Sequence, residues 1–251
     1  MNPPKMENKD FFTKKSEDYS RYRPSYPAAA ISWLWGKCIG KCVVDIGAGT
    51  GIFTKCLKQC FEDIYAVEPN GDMRKQFNLF LPDIPCTGGY AENTGLPNAS
   101  IDLITVAQAF HWFDEDKFKL EAMRILRPNG RVAIIWNTSV KNDFSVARDK
   151  VCQKYCPRFS RGYAGKRTVE EGDVFLRSIY FKDVEFVEFD NPFAMDYDSF
   201  IGNIRSRSYA ILPNEKHYDD FIKECGRVFN KYAIDRLVVE NQKTTIYLGR
   251  F

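Results

Sequence analysis

Apolar and polar positions alternate along the first half of the chain in a pattern that predicts strands separated by helices. Short apolar, β-branched runs lie at 42–46, 63–67, 101–107 and 131–136. Apolar side chains at helical spacing lie between them, at 52–60, 71–80 and 116–126. Near-continuous apolar strands are typical of parallel sheets with both faces covered by helices. The pattern therefore predicts a doubly wound α/β fold.

The pattern is different at the two ends of the chain. Residues 1–27 are polar and aromatic, and Pro24 and Pro27 end any helix there. After Asn137 the alternation loosens, and the remaining predicted elements are helices within 140–180, at 197–204 and at 216–232, a strand at 184–189, and a terminal hairpin that pairs 236–240 with 244–248. We predict one domain in three parts, namely an N-terminal segment (1–27), a core (28–140) and a region of cap helices with the last strands of the same sheet (141–251).

Composition narrows the class of protein. The 251 residues are 44% hydrophobic and 27% charged, which excludes a disordered chain, a collagen and a disulfide-stapled miniprotein. Lys and Arg number 36 against 33 Asp and Glu, and this net charge of +3 does not favour a nucleic-acid partner. No apolar leader or membrane span is apparent, so we expect a cytoplasmic protein. We also expect a monomer or a homodimer.

The eight cysteines give no metal signal. Three pairs have C-x-x-x-C spacing, whereas zinc knuckles prefer C-x-x-C, and neither His111 nor His217 lies near these pairs. We therefore expect reduced thiols and no metal site.

The segment with the clearest chemistry is the glycine-rich loop after the first predicted strand. It has the form D-x-G-x-G-x-G, with Asp45 followed by Gly47, Gly49 and Gly51. Such a loop lets a nucleotide approach bare backbone beside a helix start. Dinucleotide folds use G-x-G-x-x-G, but here Ile52 occupies the third glycine position. An acid at Asp45 suits a cationic amino acid better than a pyrophosphate, which favours S-adenosylmethionine over a nicotinamide cofactor.

Two further segments fit a nucleoside. Glu68 ends the second predicted strand, where a carboxylate can accept both ribose hydroxyls. Gly89, Tyr90, Ala91 and Glu92 follow the third strand, where small backbone and an acceptor could hold an adenine edge. Each feature alone is common in turns and on surfaces, and only their order along the chain indicates a cofactor site.

Three strings carry a family resemblance. They are Asp45–Gly51, the stretch from Ala91-Glu92 to Phe110-His111-Trp112-Phe113, and the N-terminal Tyr19-x-x-x-Arg23-Pro24-x-Tyr26-Pro27. On these strings the chain resembles class I S-adenosylmethionine-dependent methyltransferases, and more narrowly the small-molecule group of trans-aconitate methyltransferase-like proteins. The resemblance covers residues 28–137 well and 140–230 loosely. It implies a Rossmann-like sheet of seven strands, six parallel and one antiparallel, with an α-helical cap.

The resemblance also implies roles for individual residues. Gly47, Ala48, Gly49 and Gly51 would line the methionine and ribose, with Asp45 at the amino-acid end. Glu68 would take the ribose hydroxyls, Pro69 would flank the adenine, and Ala91 and Glu92 would meet its amine. Gln108 would touch the methionine, and Tyr19, Arg23 and Tyr26 would belong to a lid formed by residues 1–27 over the cofactor, with Tyr26 also in contact with the substrate.

The acceptor side is less specific. His111 follows a central strand, where it would be a general base, a substrate orienter or a residue that shapes the wall. Trp112 and Trp136 would enclose a substrate, although aromatic residues at strand ends are often core. Arg205, Ser208 and Tyr209, with Ser206 and Arg207 between them, suit an anionic acceptor or a solvated helix end.

The sequence thus favours methyl transfer from S-adenosylmethionine to a small molecule, with an anionic or carboxylate metabolite as the expected substrate. The alternatives that remain open are a nicotinamide-dependent oxidoreductase and a cofactor-binding protein without turnover. An RNA methyltransferase is disfavoured by the near-neutral charge.

Overall fold

The structure, a computed structural model, describes residues 15–159 and 167–251. The first fourteen residues of the predicted N-terminal segment lie outside this range. Within the described residues, no helix is both long and apolar enough to cross a bilayer.

A seven-stranded sheet forms the centre of the molecule, in the order β3-β2-β1-β4-β5-β9-β6. Its strands are β1 (Cys42–Ile46), β2 (Asp63–Val67), β3 (Cys86–Thr87), β4 (Ile101–Ala107), β5 (Leu126–Ser139), β6 (Lys182–Asp190) and β9 (Gln242–Arg250). The pairs among β1 to β5 are parallel, and β9 runs antiparallel to both β5 and β6. Six strands therefore share one direction, which confirms the predicted sheet. Two short strands, β7 (Phe193–Met195) and β8 (Val238–Glu240), form a separate antiparallel pair.

Nine α-helices surround the sheet in the described parts of the chain. They are α1 (Ser16–Tyr22), α2 (Ala28–Lys37), α3 (Ile52–Leu57), α4 (Gly71–Phe80), α5 (Glu115–Ile125), α6 (Asp143–Tyr155), α7 (Val169–Phe175), α8 (Tyr197–Arg205) and α9 (Tyr218–Tyr232). A single 3-10 turn (Phe110–Trp112) follows β4, and a short π-helical segment (Leu176–Tyr180) follows α7.

The strands are apolar on both sides because each face of the sheet is covered. Val43 packs with α2, α3 and α4, whereas the next residue, Val44, packs with α5 and the π-helical segment. In β5, Ile135 belongs to the same apolar cluster as Val43, and Ile134 belongs to the same cluster as Val44. Successive side chains of a strand point to opposite faces, so burial on both faces requires an unbroken apolar run.

The cap is a third apolar cluster, separate from the two that cover the sheet. It is built from α6, α8, α9 and the β7–β8 pair, and its largest fully buried side chains are Phe200 and Phe221. Asn142 starts α6 with a capping box, and Asp196 caps α8.

The predicted terminal hairpin is wrong. Val238–Glu240 pairs with Phe193–Met195 of the cap, and Gln242–Arg250 enters the main sheet between β5 and β6. Two adjacent apolar runs predict a local hairpin because turns are short, but here each strand pairs with strands that are distant in sequence.

Candidate functional site

A cleft lies at the carboxyl ends of β1 and β4, where the strand order of the sheet changes direction. The strand that follows β1 in sequence, β2, lies on one side of it, and β4 lies on the other side. Ligands of open α/β sheets bind outside the carboxyl ends of such strands. The cleft encloses about 430 Å³, counting space open to solvent. Its lining consists of Tyr19, Arg23, Pro24, Tyr26, Asp45, Gly47, Ala48, Ile52, Phe53, Ala107, Gln108 and Asn137.

Seven residues predicted to bind a cofactor or substrate therefore meet in one place. They are Tyr19, Arg23, Tyr26, Asp45, Gly47, Ala48 and Gln108. They come from three segments that are far apart in sequence, and the topology of the sheet brings them together. Asn137, at the end of β5, is a lining residue that sequence reasoning missed, because nothing in a strand-end asparagine distinguishes it before the strand order is known.

The three loop glycines are required for different reasons. All three have positive φ angles, +72° at Gly47, +58° at Gly49 and +86° at Gly51, which other residues adopt only with strain. A Cβ on Gly47 would lie 2.5 Å from Ala109 Cβ, so this glycine allows close packing on the β4 loop. A Cβ on Gly51 would collide with Leu81 and Phe77. Gly51 thus faces the core. The sequence predicted that it would line the cleft, but it is not among the lining residues.

Gly49 is the loop glycine that opens onto empty space. Its nearest neighbour for an added Cβ is the ring of Tyr19, at 3.9 Å. A ligand at this point would touch bare backbone, and a side chain on Gly49 would fill the same space.

Asp45 is buried at the end of β1, with 1% of its surface exposed. Its carboxyl accepts hydrogen bonds from Thr54 Oγ1 (2.6 Å) and Thr105 Oγ1 (3.1 Å). Burial raises the pKa of Asp45 to about 7, against the effect of the two hydroxyl groups. A cation in the cleft would favour the ionised form, as expected for a ligand that carries an ammonium group.

Glu68 holds the glycine loop in place. Its two carboxylate oxygens accept the backbone N–H groups of Gly49 and Asn70, each at 2.8 Å. Burial, the largest effect, raises the pKa of Glu68, while these two hydrogen bonds lower it. Glu68 lies behind the loop rather than among the residues lining the cleft, and each oxygen retains a second lone pair for a hydroxyl.

The predicted adenine contacts are not among the residues that line the cleft. Pro69 is half-buried beside Glu68, and Ala91 packs into the core. Glu92 Oε1 accepts the backbone N–H of Asp114 at 2.7 Å, just before α5. The structure therefore gives Glu92 a structural contact, and its role at an adenine ring stays a prediction.

Gln108 has a backbone conformation that is unusual for a residue other than glycine. Its φ angle is +58°, and its Nε2 donates to the carbonyl of Asn137 at 3.2 Å. This contact ties the ends of β4 and β5 together at the cleft. Non-glycine residues in this conformation cost free energy and are concentrated at functional sites.

The helix α1 closes one side of the cleft. Asn203 Nδ2 donates to Tyr22 O at 2.9 Å, and Gly202 lies directly under the Tyr22 ring. Lys15 Nζ donates to the carbonyls of Arg207 (2.8 Å) and Ala210 (2.7 Å). The segment is thus seated on α8 and the turn after it, which places Tyr19 and Arg23 over the glycine loop.

His111 and Trp136 belong to a second, narrower crevice. Its walls are Phe110, His111, Glu115, Trp136, Arg167, Gly172, Phe175 and Leu176. The ring of His111 lies 4.7 Å from that of Trp112, and Arg167 binds Glu115 with both guanidinium nitrogens (2.5 and 2.9 Å). Trp136 is 5% exposed within the core cluster. The structure thus separates these predicted substrate residues from those around Asp45.

The basic string in the cap divides between two environments. Arg205 is largely exposed and binds Asp18 of α1 with two hydrogen bonds (2.8 and 2.9 Å), so the structure does not place it at the cleft. Arg207 instead faces a buried group with Arg148 of α6 and Glu240 of β8. Tyr209 lies beside this group, half-buried against Phe159, and Ser208 is also half-buried. Sequence reasoning missed Arg148 and Glu240, which no local pattern connects to Arg207.

Over part of its length, the chain is similar to known methyltransferases. Residues 44–134 match the family described as a methyltransferase domain. The chain is similar to an uncharacterized methyltransferase of Mycobacterium tuberculosis, with 42% identity over 48% of this chain and 49% of that protein. An uncharacterized methyltransferase-like protein of Schizosaccharomyces pombe is 33% identical over the same shares. The aligned part spans about half the length of these curated relatives.

Solved structures share the fold over most of the chain. A “putative type II methyltransferase” from Anaeromyxobacter dehalogenans aligns with a TM-score of 0.67, 24% identity, and 91% and 96% of the two chains. A Haemonchus contortus phosphoethanolamine N-methyltransferase bound to S-adenosylhomocysteine aligns with a TM-score of 0.57 and 15% identity, over 99% of this chain and 61% of that one. At these identities the alignments show a shared fold. The cleft residues would fit S-adenosylmethionine, because a buried acid at Asp45 and a guanidinium at Arg23 line the same cleft, and the glycine loop that borders it has open backbone at Gly49.

Proposed function

We propose that this protein transfers a methyl group from S-adenosylmethionine to a small molecule that bears a carboxylate or another anionic group. The observation that carries the proposal is the cleft at the carboxyl ends of β1 and β4, which Asp45 and Arg23 both line and which the glycine loop with the open face of Gly49 borders. The resemblance to trans-aconitate methyltransferase-like proteins points to the same substrate class, as does the buried basic group of the cap.

The cofactor would be held by groups of opposite charge at its two polar ends. Asp45 would face the ammonium group of the cofactor's methionine part, and Arg23 would face its carboxylate. Gly49 would lie against the methionine part between these groups and the ribose. Glu68 would accept the ribose hydroxyls through its remaining lone pairs. When bound, the cofactor supplies an electrophilic methyl group on a positively charged sulfur.

The protein's own contribution would be positioning and the exclusion of water. Tyr19 and Tyr26 would close over the cleft, and burial keeps both phenols neutral by raising their pKa values. An acceptor that is already anionic needs no proton removed, so the transfer would require no general base, and His111 would shape the wall of the neighbouring crevice.

Titration calorimetry with S-adenosylhomocysteine and with NAD⁺ tests the cofactor assignment. We expect binding of the first and none of the second. Glu68→Gln should weaken S-adenosylhomocysteine binding by about 1–3 kcal/mol, the scale of one charge-assisted hydrogen bond. Binding of NAD⁺ alone would overturn the proposal in favour of an oxidoreductase, and unchanged affinity in Glu68→Gln would remove Glu68 from the ribose.

Turnover is tested separately, by following methyl transfer from labelled S-adenosylmethionine to a panel of carboxylate metabolites. We expect at least one to be methylated. If the protein binds S-adenosylhomocysteine but methylates neither carboxylates nor neutral analogues, it is a cofactor-binding protein without turnover.

A further inference from the structure

Two half-buried arginines in the described part of the chain use few of their donors. A guanidinium carries five N–H groups. Arg207 has one hydrogen bond, to Asn203 Oδ1 at 3.0 Å, and Arg23 has one, to Ser206 O at 3.3 Å. The Nε atoms of both are buried and have no hydrogen-bond partner among the described residues. Arg148, in contrast, binds both Asp149 and Glu240.

The surrounding carboxylates do not balance these cations. Glu240 Oε1 binds Arg148 at 2.5 Å, whereas the distance from its Oε2 to Arg207 is 3.6 Å, too long for a hydrogen bond. Lys15 adds a further buried cation, and the nearby Arg158–Glu215 pair cancels itself. Among the described residues, Lys15, Arg23, Arg148 and Arg207 are thus four cations, against the carboxylates of Asp149 and Glu240 in the cap and of Asp45 in the cleft that Arg23 lines.

The charge of Arg207 acts on Arg23, which lines the cleft. Burial is the largest cause of a lowered pKa at Arg23, and the charge of Arg207 lowers it further. The other groups that act most strongly on Arg23 are Tyr19, Tyr209 and Tyr26, and no carboxylate is among them. A buried N–H donor without an acceptor is costly, so a complementary anion between these arginines would satisfy donors that the protein alone leaves unused.

We propose that Arg207 is the specificity residue for the acceptor and binds its carboxylate, while Arg23 binds the carboxylate of the cofactor. This inference rests on the proposed methyl transfer. The Arg148–Glu240 ion pair positions Arg207, and Ser206, whose carbonyl binds Arg23, directly precedes it, so the two anion sites adjoin. Tyr209, kept neutral because burial raises its pKa, is a hydroxyl donor beside the same anion.

Cofactor analogues separate the two arginines. S-adenosylhomocysteine and its decarboxylated analogue are titrated into the wild type, Arg207→Gln, Arg23→Gln and the control Arg227→Gln, an exposed arginine of α9. We expect Arg23→Gln to lose at least tenfold affinity for S-adenosylhomocysteine but not for the analogue. Arg207→Gln should bind both within about twofold of the wild type. Selective loss of S-adenosylhomocysteine binding in Arg207→Gln would assign Arg207 to the cofactor and overturn the inference.

The acceptor site is tested with small dicarboxylates, such as glutarate, titrated into each protein saturated with S-adenosylhomocysteine. Glutarate should raise the melting temperature of the wild type and of Arg227→Gln, because a ligand that binds only the folded state stabilises it. The affinity for glutarate should fall at least tenfold in Arg207→Gln. It should partly recover in Arg207→Lys, which keeps the positive charge but loses the planar pair of N–H donors of the guanidinium.

The two proposals fail differently. If S-adenosylhomocysteine does not bind the wild type, the proposed function is wrong. If it binds but no dicarboxylate from two to six carbons binds the complex, or if Arg207→Gln binds glutarate as the wild type does, only the role of Arg207 is wrong. Circular dichroism confirms folding of each variant, and Arg207→Lys provides the same test if Arg207→Gln does not fold.

Discussion

The cofactor end and the cap end of the candidate site are built on different principles. At the cofactor end, Asp45, Gly47, Gly49 and Glu68 lie within 24 residues, and they act through one strand–loop–helix unit and the strand that follows. At the cap end, charged side chains come from the N-terminal segment, α6, the turn after α8, and β8. The first end relies on backbone geometry set locally, and the second on side chains assembled from distant segments.

This difference determines what a substitution should do. A change in the glycine loop alters a shape that neighbouring residues cannot restore, so its effect on cofactor binding should be large. A change in the cap alters one member of a charged cluster whose remaining members can rearrange, so its effect should depend on whether the residue faces inward or outward.

The largest effect is expected for Gly49→Val. A β-branched side chain is strained at a φ of +58° and fills the space that faces Tyr19. We expect binding of S-adenosylhomocysteine to fall more than a hundredfold by calorimetry, with the helix content retained by circular dichroism. Gly71→Ala, where an added Cβ has nothing within 4 Å, is the matched control. Tight binding by a folded Gly49→Val protein would place the cofactor elsewhere.

The next effect is a pH dependence centred on Asp45. Burial raises its pKa from 3.8 to about 7, and a cationic ligand favours the ionised form, so cofactor affinity should rise as pH increases and level off above about 7. The stability of the free protein should change in the opposite sense. The protonated carboxyl favours folding below pH 3.8, and this contribution is lost as pH rises through the folded-state pKa.

Calorimetry from pH 5.5 to 8.5 checks the affinity, with up to a tenfold change per unit below pH 7. Asp45→Asn should bind more weakly above pH 7 and show a flat profile over this range. A wild-type profile that is equally flat would mean that no ligand cation lies beside Asp45.

A smaller effect is expected at the seat of α1. An added Cβ on Gly202 would overlap the Tyr22 ring, so Gly202→Ala should loosen the segment and weaken S-adenosylhomocysteine binding by about threefold to tenfold. Hydrogen exchange over residues 15–27 should show slower exchange when ligand binds the wild type. Gly36→Ala, with open space around its Cβ, is the control. Equal protection with and without ligand would identify a permanently docked helix in place of a lid.

The smallest effect is expected for Arg205→Gln. This exposed arginine pairs with Asp18, and surface ion pairs contribute about 0–1 kcal/mol. We expect less than a twofold change in turnover with a carboxylate acceptor, compared with the large loss expected for Arg207→Gln. A tenfold loss in Arg205→Gln would reverse the assignment of the two arginines.

The contrast between the two ends also explains which sequence predictions succeeded. The sheet and its helices follow from apolar runs of the right length, because a strand buried on both faces has few other solutions. The hairpin at 236–248 was predicted wrongly because β8 and β9 are adjacent in sequence but pair with strands on different sheets. Gly51 fits the loop motif as well as Gly49 does, and only packing against Phe77 and Leu81 separates their roles.

The sequence by itself determined the class of fold, the loop at Asp45 and the order of the elements that approach it, because those features depend on short-range periodicity and backbone freedom. Only the tertiary structure decided which arginine of the cap points inward, that Asn137 joins the cleft, and that His111 and Trp136 line a separate crevice. The direction in which these side chains point, and the distances between segments that are far apart in sequence, follow from how α1, α6, α8 and β8 pack together. That packing depends on the sum of many weak contacts, which no single stretch of sequence contains.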